Sequence, residues 1–109
     1  MAAVGGDVTA FEEGDAVYGC AGGFPGASHG ALADYMPCDA RLLAPMPASL
    51  SFRQAAALPL VTLTAEGFID KADVETGEQV LVHGATGGVG HVGLQLAAWR
   101  GATVAVTAS

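Results

Sequence analysis

The chain has 109 residues, 51% hydrophobic and 14% charged, which argues against disorder and suits one small domain that buries a core. Only Arg41, Arg53, Lys71 and Arg100 oppose eleven acidic side chains, and the net charge of −7 disfavours nucleic acid and anionic membrane as partners. No apolar run reaches transmembrane length and no basic-then-apolar signal follows Met1, so the default location is the cytoplasm.

Residues 1–47 read as short strands and turns. Gly5-Gly6-Asp7 is a turn signal, and Phe11-Glu12-Glu13-Gly14-Asp15 is a second that delivers the chain into a strand at Ala16-Val17-Tyr18-Gly19. The segment 21–30 carries five glycines or prolines and His29, and reads as a loop with His29 exposed. Ala31 to Met36 alternates weakly before Pro37, and Arg41-Leu42-Leu43-Ala44 is a further short strand before Pro45 and Pro47. Several short strands at this spacing suggest a small β-barrel or part of one. The pattern then changes. Ser51-Phe52-Arg53-Gln54 is a capping box that opens a helix running to Pro59. Leu60 to Asp70 is a second helix, with Val61, Thr64, Ala65 and Phe68 on one face, and Thr76-Gly77-Glu78 turns into the next strand.

The stretch from Gln79 to Ser109 carries the chemistry. Val80-Leu81-Val82 is a strand, and His83-Gly84-Ala85-Thr86 leads into Gly87-Gly88-Val89-Gly90. A helix follows, with Val89, Val92, Gly93, Leu96, Ala97 and Arg100 on one face, until Gly101 stops it. Thr103 to Thr107 is a second strand, so the order is βαβ. The first turn of such a unit binds a dinucleotide pyrophosphate through backbone N–H groups and the positive helix end. Gly87 would supply the tight turn, Gly88 the space beneath the pyrophosphate, and Gly90 the close approach of helix to strand. With Ala85 on the first glycine position the fingerprint is A-x-G-x-x-G. A P-loop is excluded, because no Gly-Lys-Ser/Thr occurs.

The remaining polar residues are weaker candidates. Cys20 and Cys38 form no C-x-x-C and no metal-spaced cluster with His29, His83 or His91, so two small buried thiols are expected and no metal site. Tyr18, Tyr35 and Trp99 read as packing residues. Asp70, Asp73, Glu75 and Glu78 read as a solvated acidic face. His83 ends a strand beside the glycine turn and reads as a hydrogen-bonded histidine, and His91 opens the following helix without an evident role. Thr62 and Thr64 suit either the helix surface or bonds to the local backbone.

In this order the segments resemble the medium-chain dehydrogenase/reductase superfamily, on its zinc-independent quinone oxidoreductase side. Phe11 to Gly19 is similar to F-x-x-G-D-x-V-Y-G, and Gly30 to Tyr35 to G-x-x-A-E-Y. Ala55 to Pro59 and Leu63-Thr64-Ala65 are similar to A-A-x-L-P and L-T-A, and Gly77 to Gly90 to G-E-x-V-L-V-x-x-A-x-x-G-G-V-G. The resemblance implies an α/β fold: a partial GroES-like β-barrel over 1–58, the catalytic domain, followed over 59–109 by the first βαβ unit of a Rossmann fold, both truncated. It implies that the chain is an internal piece of a longer enzyme, whose catalytic residues lie outside it. It places Leu60 where zinc-dependent members carry a cysteine ligand, so no metal is expected. It implies cofactor contacts from Thr64, Ala85, Thr86, Gly87, Gly88, Val89 and Gly90. An acidic residue about 20 positions past the turn would select NAD. Ser109 stands 19 positions past Gly90 with no Asp or Glu between them, so NADP(H) is expected. The implied function is hydride transfer between NADP(H) and a small-molecule quinone, enone or related carbonyl. The alternative is a non-catalytic scaffold or interaction module, and the uncovered sheet edge predicts a homo-oligomer in either case. A short-chain dehydrogenase does not fit, because its turn lies near the N-terminus and no Tyr-x-x-x-Lys follows.

Overall fold

The computed structural model describes residues 1–21 and 30–108, so the loop expected over 21–30, with His29, and the site residue Ser109 lie largely or wholly outside the described residues. The chain divides into two compact units, Met1–Pro59 and Leu60–Ser109.

In the first unit, β1 (Val17–Gly19) pairs antiparallel with β2 (Leu43–Pro45), in the register Val17↔Pro45. The ladder extends through Met46 N–H to the Ala16 carbonyl at 2.8 Å. Gly19 is required by this pairing, since a Cβ there would strike the Leu42 carbonyl. The strand expected over Arg41–Ala44 begins later, because Ala40–Leu42 is a 3-10 turn. Its N-cap is Asp39, whose carboxylate accepts Arg41 N–H at 2.9 Å and pairs with the Arg41 guanidinium. The strand expected over Ala31–Met36 is not formed: residues 31–34 bend and 35–39 are irregular. Its large side chains are not buried: Leu32 is fully exposed, and Tyr35, expected to pack, is 78% exposed. Cys38 is exposed as well, against the expectation of a buried thiol. The described residues of this unit thus hold a two-stranded ladder rather than a closed barrel. Helix α1 (Phe52–Ala57) carries the expected capping box: the Ser51 hydroxyl accepts Gln54 N–H, and Gln54 Oε1 accepts Ser51 N–H at 2.9 Å.

In the second unit, α2 (Pro59–Lys71) is followed by β3 (Gln79–His83), α3 (Gly88–Trp99) and β4 (Thr103–Thr107). Strands β3 and β4 are parallel, in the register Gln79↔Thr103 to His83↔Thr107, and α3 is the crossover between them. Both long helices end in a Schellman motif, which satisfies their last carbonyls. After α2 the left-handed residue is Asp73 (φ 52°), and Val74 N–H reaches the Ile69 carbonyl. After α3 it is Gly101 (φ 89°), and Ala102 N–H reaches the Ala97 carbonyl. Each motif places an apolar residue in the core of this unit, where Ile69, Val74 and Ala97 are buried and Val80, Leu96, Ala102 and Val104 pack against them. On α3 the inward face is the expected one, with Val92, Gly93 and Ala97 buried and Val89, Leu96 and Arg100 half-buried. On α2 it differs: Ala65 and Ile69 are buried, whereas Phe68 is 63% exposed. Trp99, expected to pack, is 81% exposed on the outer face of α3.

Arg100 joins the two helices. Its guanidinium donates to Glu66 at 2.7 Å and to Asp70, both on α2. Asp70 is therefore an ion-pair partner and not part of a merely solvated acidic face. Glu78, also assigned to that face, accepts Glu75 N–H at 3.0 Å and closes the turn before β3.

Candidate functional site

The glycine turn starts at the C-terminal end of β3. Gly84 has φ +74°, a conformation that favours glycine. Its carbonyl accepts Gly87 N–H at 3.0 Å, which closes the turn, and Ala85 N–H donates to the Thr107 carbonyl of β4 at 2.9 Å. Gly87 is the N-cap of α3 at φ −75°, ψ 162°. That is ordinary extended backbone, so the tight left-handed bend lies at Gly84 and not at Gly87 as the fingerprint implied. Gly87 matters by proximity, since a Cβ there would stand 3.3 Å from the Gly84 carbonyl.

The other two glycines divide similarly. A Cβ at Gly90 would strike the Gly84 carbonyl and stand 3.0 Å from Ala85 Cα, so the first turn of α3 lies directly on the end of β3. This is the close approach expected of the third glycine. A Cβ at Gly88 would stand 3.2 Å from Val61 Cγ1, so the space that Gly88 leaves is limited by a side chain of α2. Ala85 is buried at 8% exposure, and Thr86 is exposed beside it.

What this arrangement can do follows from the start of α3. Gly88, Val89 and Gly90 are its first residues, whose N–H groups have no intrahelical acceptor. No side chain caps the helix at Gly87. Three donors at the positive end of a helix dipole, with no side chain capping them, can receive a phosphate. The residues present therefore fit a dinucleotide pyrophosphate. The same turn walls an open cleft of about 520 Å³, whose apolar lining includes Phe68, Ile69, Val80 and Val82.

Thr64 is half-buried on α2, and its hydroxyl donates to the Leu60 carbonyl at 2.7 Å, which realises the local backbone bond. His83, at the end of β3, is exposed with its Nδ1 2.5 Å from Thr107 Oγ1. His91 is not without partners: its N–H donates to the Gly87 carbonyl, and its Nδ1 is 3.1 Å from the same oxygen. The sequence missed this second bond on the turn, although a histidine four residues into the motif was the available signal. Leu60, at the position tied to a zinc ligand, is 54% exposed, and no three His, Cys, Asp or Glu side chains converge among the described residues. No helix among the described residues is long and apolar enough to cross a membrane.

Comparison with known proteins agrees with this geometry. No family model matches the chain. A spectinabilin polyketide synthase system protein, NorB of Streptomyces orinoci, is 49% identical over 107 residues, which are 97% of this chain and 5% of that protein. An alcohol dehydrogenase superfamily protein from Novosphingobium aromaticivorans superimposes with a TM-score of 0.93 at 52% identity, over 98% of this chain and 32% of that one. The CurK enoyl reductase superimposes at 0.86 with 37% identity, over 99% of this chain and 31% of that one. The quinone oxidoreductase of Thermus thermophilus, solved also with NADPH, superimposes at 0.70 with 36% identity, over 76% of this chain and 28% of that one. The chain thus spans about a third of the solved chains that it matches and a small part of the polyketide synthase.

Proposed function

Because the chain belongs to the medium-chain dehydrogenase/reductase superfamily, alongside quinone oxidoreductases and enoyl reductases, we propose that it supplies the dinucleotide-binding turn of an NADP(H)-dependent, zinc-independent oxidoreductase. The observation that carries this reading is the uncapped start of α3, with Gly88, Val89 and Gly90 presenting free N–H groups within a parallel βαβ unit. The proposed architecture is a Rossmann-type unit over 59–109 and a GroES-like catalytic part over 1–58. Between quinone and conjugated carbonyl as substrate, the likeness to the CurK enoyl reductase and to a polyketide synthase favours an enoyl group.

A bound nicotinamide would supply the hydride. The chain's own residues bind and orient. The N–H groups of Gly88, Val89 and Gly90 hold the pyrophosphate, with Ala85 and Thr86 shaping the turn ahead of them. The Thr64 hydroxyl gives its proton to the Leu60 carbonyl, so toward a cofactor it serves as an acceptor. Ser109 takes the adenosine 2′-phosphate, which no acidic residue between Gly90 and Ser109 repels. With Leu60 in place of a metal-binding cysteine, hydrogen-bond donors and exclusion of water polarise the substrate carbonyl. The chain spans about a third of the solved oxidoreductases that it resembles, and the isolated chain is expected to bind nucleotide without turnover.

The test is titration with NADPH and NADH, on the chain and on a full-length relative carrying this segment. NADPH is expected to bind more tightly, Ser109→Asp to reverse the preference, and Gly88→Val, whose Cβ alone would stand 3.2 Å from Val61 Cγ1, to abolish binding. Equal NADPH affinity in Gly88→Val would refute the reading. A second reading, a self-associating scaffold, is favoured by one observation: Leu63, Phe68, Leu81 and Trp99 are all more than 60% exposed. It predicts association without nucleotide binding.

A further inference from the structure

We propose that His83 is a positioning residue for the glycine turn, acting through the Thr107 hydroxyl. Gly84, the left-handed residue on which the turn bends, offers two backbone groups, and both are engaged. Its carbonyl accepts Gly87 N–H at 3.0 Å, and its own N–H donates to Thr107 Oγ1 at 3.2 Å. Thr107 also accepts Ala85 N–H on its backbone carbonyl at 2.9 Å, so this one residue of β4 holds two consecutive amides of the turn. A hydroxyl has one proton, and here its oxygen already accepts from Gly84. The proton goes to the acceptor within reach, His83 Nδ1 at 2.5 Å, directly across the parallel ladder in the register His83↔Thr107. That assignment fixes the imidazole tautomer: Nδ1 accepts and Nε2 carries the hydrogen. The imidazole orients the hydroxyl, the hydroxyl orients the Gly84 amide, and the Gly84 carbonyl lies against Gly87 and Gly90. The position of the first turn of α3 is therefore set through a pair of side chains that face each other across the ends of β3 and β4.

The proposal concerns the geometry of the turn; only its consequence for affinity rests on the dinucleotide reading above. The experiment measures amide hydrogen exchange of residues 84–90 in the wild-type chain and in Thr107→Val, Thr107→Ser and His83→Phe, together with the imidazole ¹⁵N shifts of His83. Thr107→Val keeps the shape and removes the hydroxyl. Turn amides are expected to exchange about two- to tenfold faster, the span of one modest hydrogen bond. His83→Phe, at an exposed position, should act in the same direction and add nothing in the Thr107→Val background, whereas Thr107→Ser should restore wild-type exchange. The ¹⁵N shifts should show an unprotonated Nδ1, and this signature should weaken in Thr107→Val. A proton on Nδ1, or turn exchange that His83→Phe leaves unchanged, overturns the proposal, and additive effects of the two substitutions do so as well. Titration with NADPH separates the two readings: wild-type chain that shows the exchange effects and no NADPH binding sinks the dinucleotide reading and leaves the tether standing, while affinity that weakens in step with exchange supports both.

Discussion

Three glycines of α3 provide a graded test of the packing, through substitution of each by alanine. All three have negative φ, so alanine brings no backbone strain and gains helix propensity, up to about 1 kcal/mol in a helix interior and less at the first position. The opposing term is what the new methyl meets. At Gly93 it would stand 4.0 Å from Ala65 Cβ, an ordinary contact, so Gly93→Ala should stabilise by about 0.5–1 kcal/mol. At Gly88 it would stand 3.2 Å from Val61 Cγ1, the end of a side chain that can shift, and the two terms should nearly cancel, to within about 0.5 kcal/mol. At Gly90 it would meet the Gly84 carbonyl, with Gly84 C at 2.9 Å and Ala85 Cα at 3.0 Å. Backbone yields only by moving the end of β3, so overpacking of about 1–3 kcal/mol outweighs the propensity gain and Gly90→Ala should destabilise by about 1–2 kcal/mol. Urea unfolding followed by far-UV circular dichroism gives the order. If Gly90→Ala is as stable as the wild type, or Gly93→Ala is less stable, the reasoning from close approach is wrong.

Other expectations follow from the same geometry. Gly101→Ala combines φ +89° with a Cβ 2.8 Å from Thr76 Oγ1, and should lower stability by roughly 1–2 kcal/mol in the same unfolding assay. Arg41 holds the Asp39 carboxyl down, from the usual carboxylate range to about 2, by side-chain and backbone hydrogen bonds. Because the folded value is depressed, the contribution of this pair is present above the unfolded value near 4 and is lost as pH falls through about 2; ¹³C titration of Asp39 should show that midpoint, and Arg41→Met should return it toward 4. Arg100→Met removes the bonds to Glu66 and Asp70, and should destabilise the second unit by an amount that shrinks in high salt; equal loss at every salt concentration would assign the effect to packing instead. Light scattering should show association that grows with concentration and that falls when Phe68 and Leu81, both exposed, are replaced by Ser.

The helix α3 was legible because its pattern allows one reading. Val89, Val92, Gly93, Leu96, Ala97 and Arg100 lie on one face at helical spacing, and that face is the one turned inward, with Leu94 and Trp99 the large apolar residues outside it. Helix α2 has apolar residues on nearly every side, including Leu60, Val61, Leu63, Ala65, Phe68 and Ile69, so periodicity alone allowed more than one inward face. Packing against Val74 and Ala97 selected Ile69 over Phe68. Local signals survived where the chemistry is local: the Ser51–Gln54 capping box and the stop at Gly101 are both formed. The Arg100 pair with Glu66 and Asp70 was hidden because its partners lie 34 and 30 residues away. At the glycine turn the spacing located the bend between β3 and α3, but spacing does not say which glycine needs its freedom of angle. That role fell to Gly84, outside the three-position fingerprint.

The parallel pairing of β3 with β4 has a kinetic side. Each strand residue finds a partner 24 positions away, so the ladder gains nothing until a loop of that length has closed, at an entropic cost of about 3 kcal/mol. Nothing shorter can replace it, because a parallel pair cannot be joined by a tight hairpin. The 12 residues of α3 shorten the journey, spanning about 18 Å once helical against roughly 40 Å extended. Yet Gly88, Gly90 and Gly93 all lie in that helix, two of them in its first turn, and each makes early helix formation less favourable. The glycines that let α3 pack closely on its neighbours therefore also slow the event that assembles the two strands, and Gly93→Ala, distant from the turn, should speed refolding of the second unit if α3 is formed in the folding transition state.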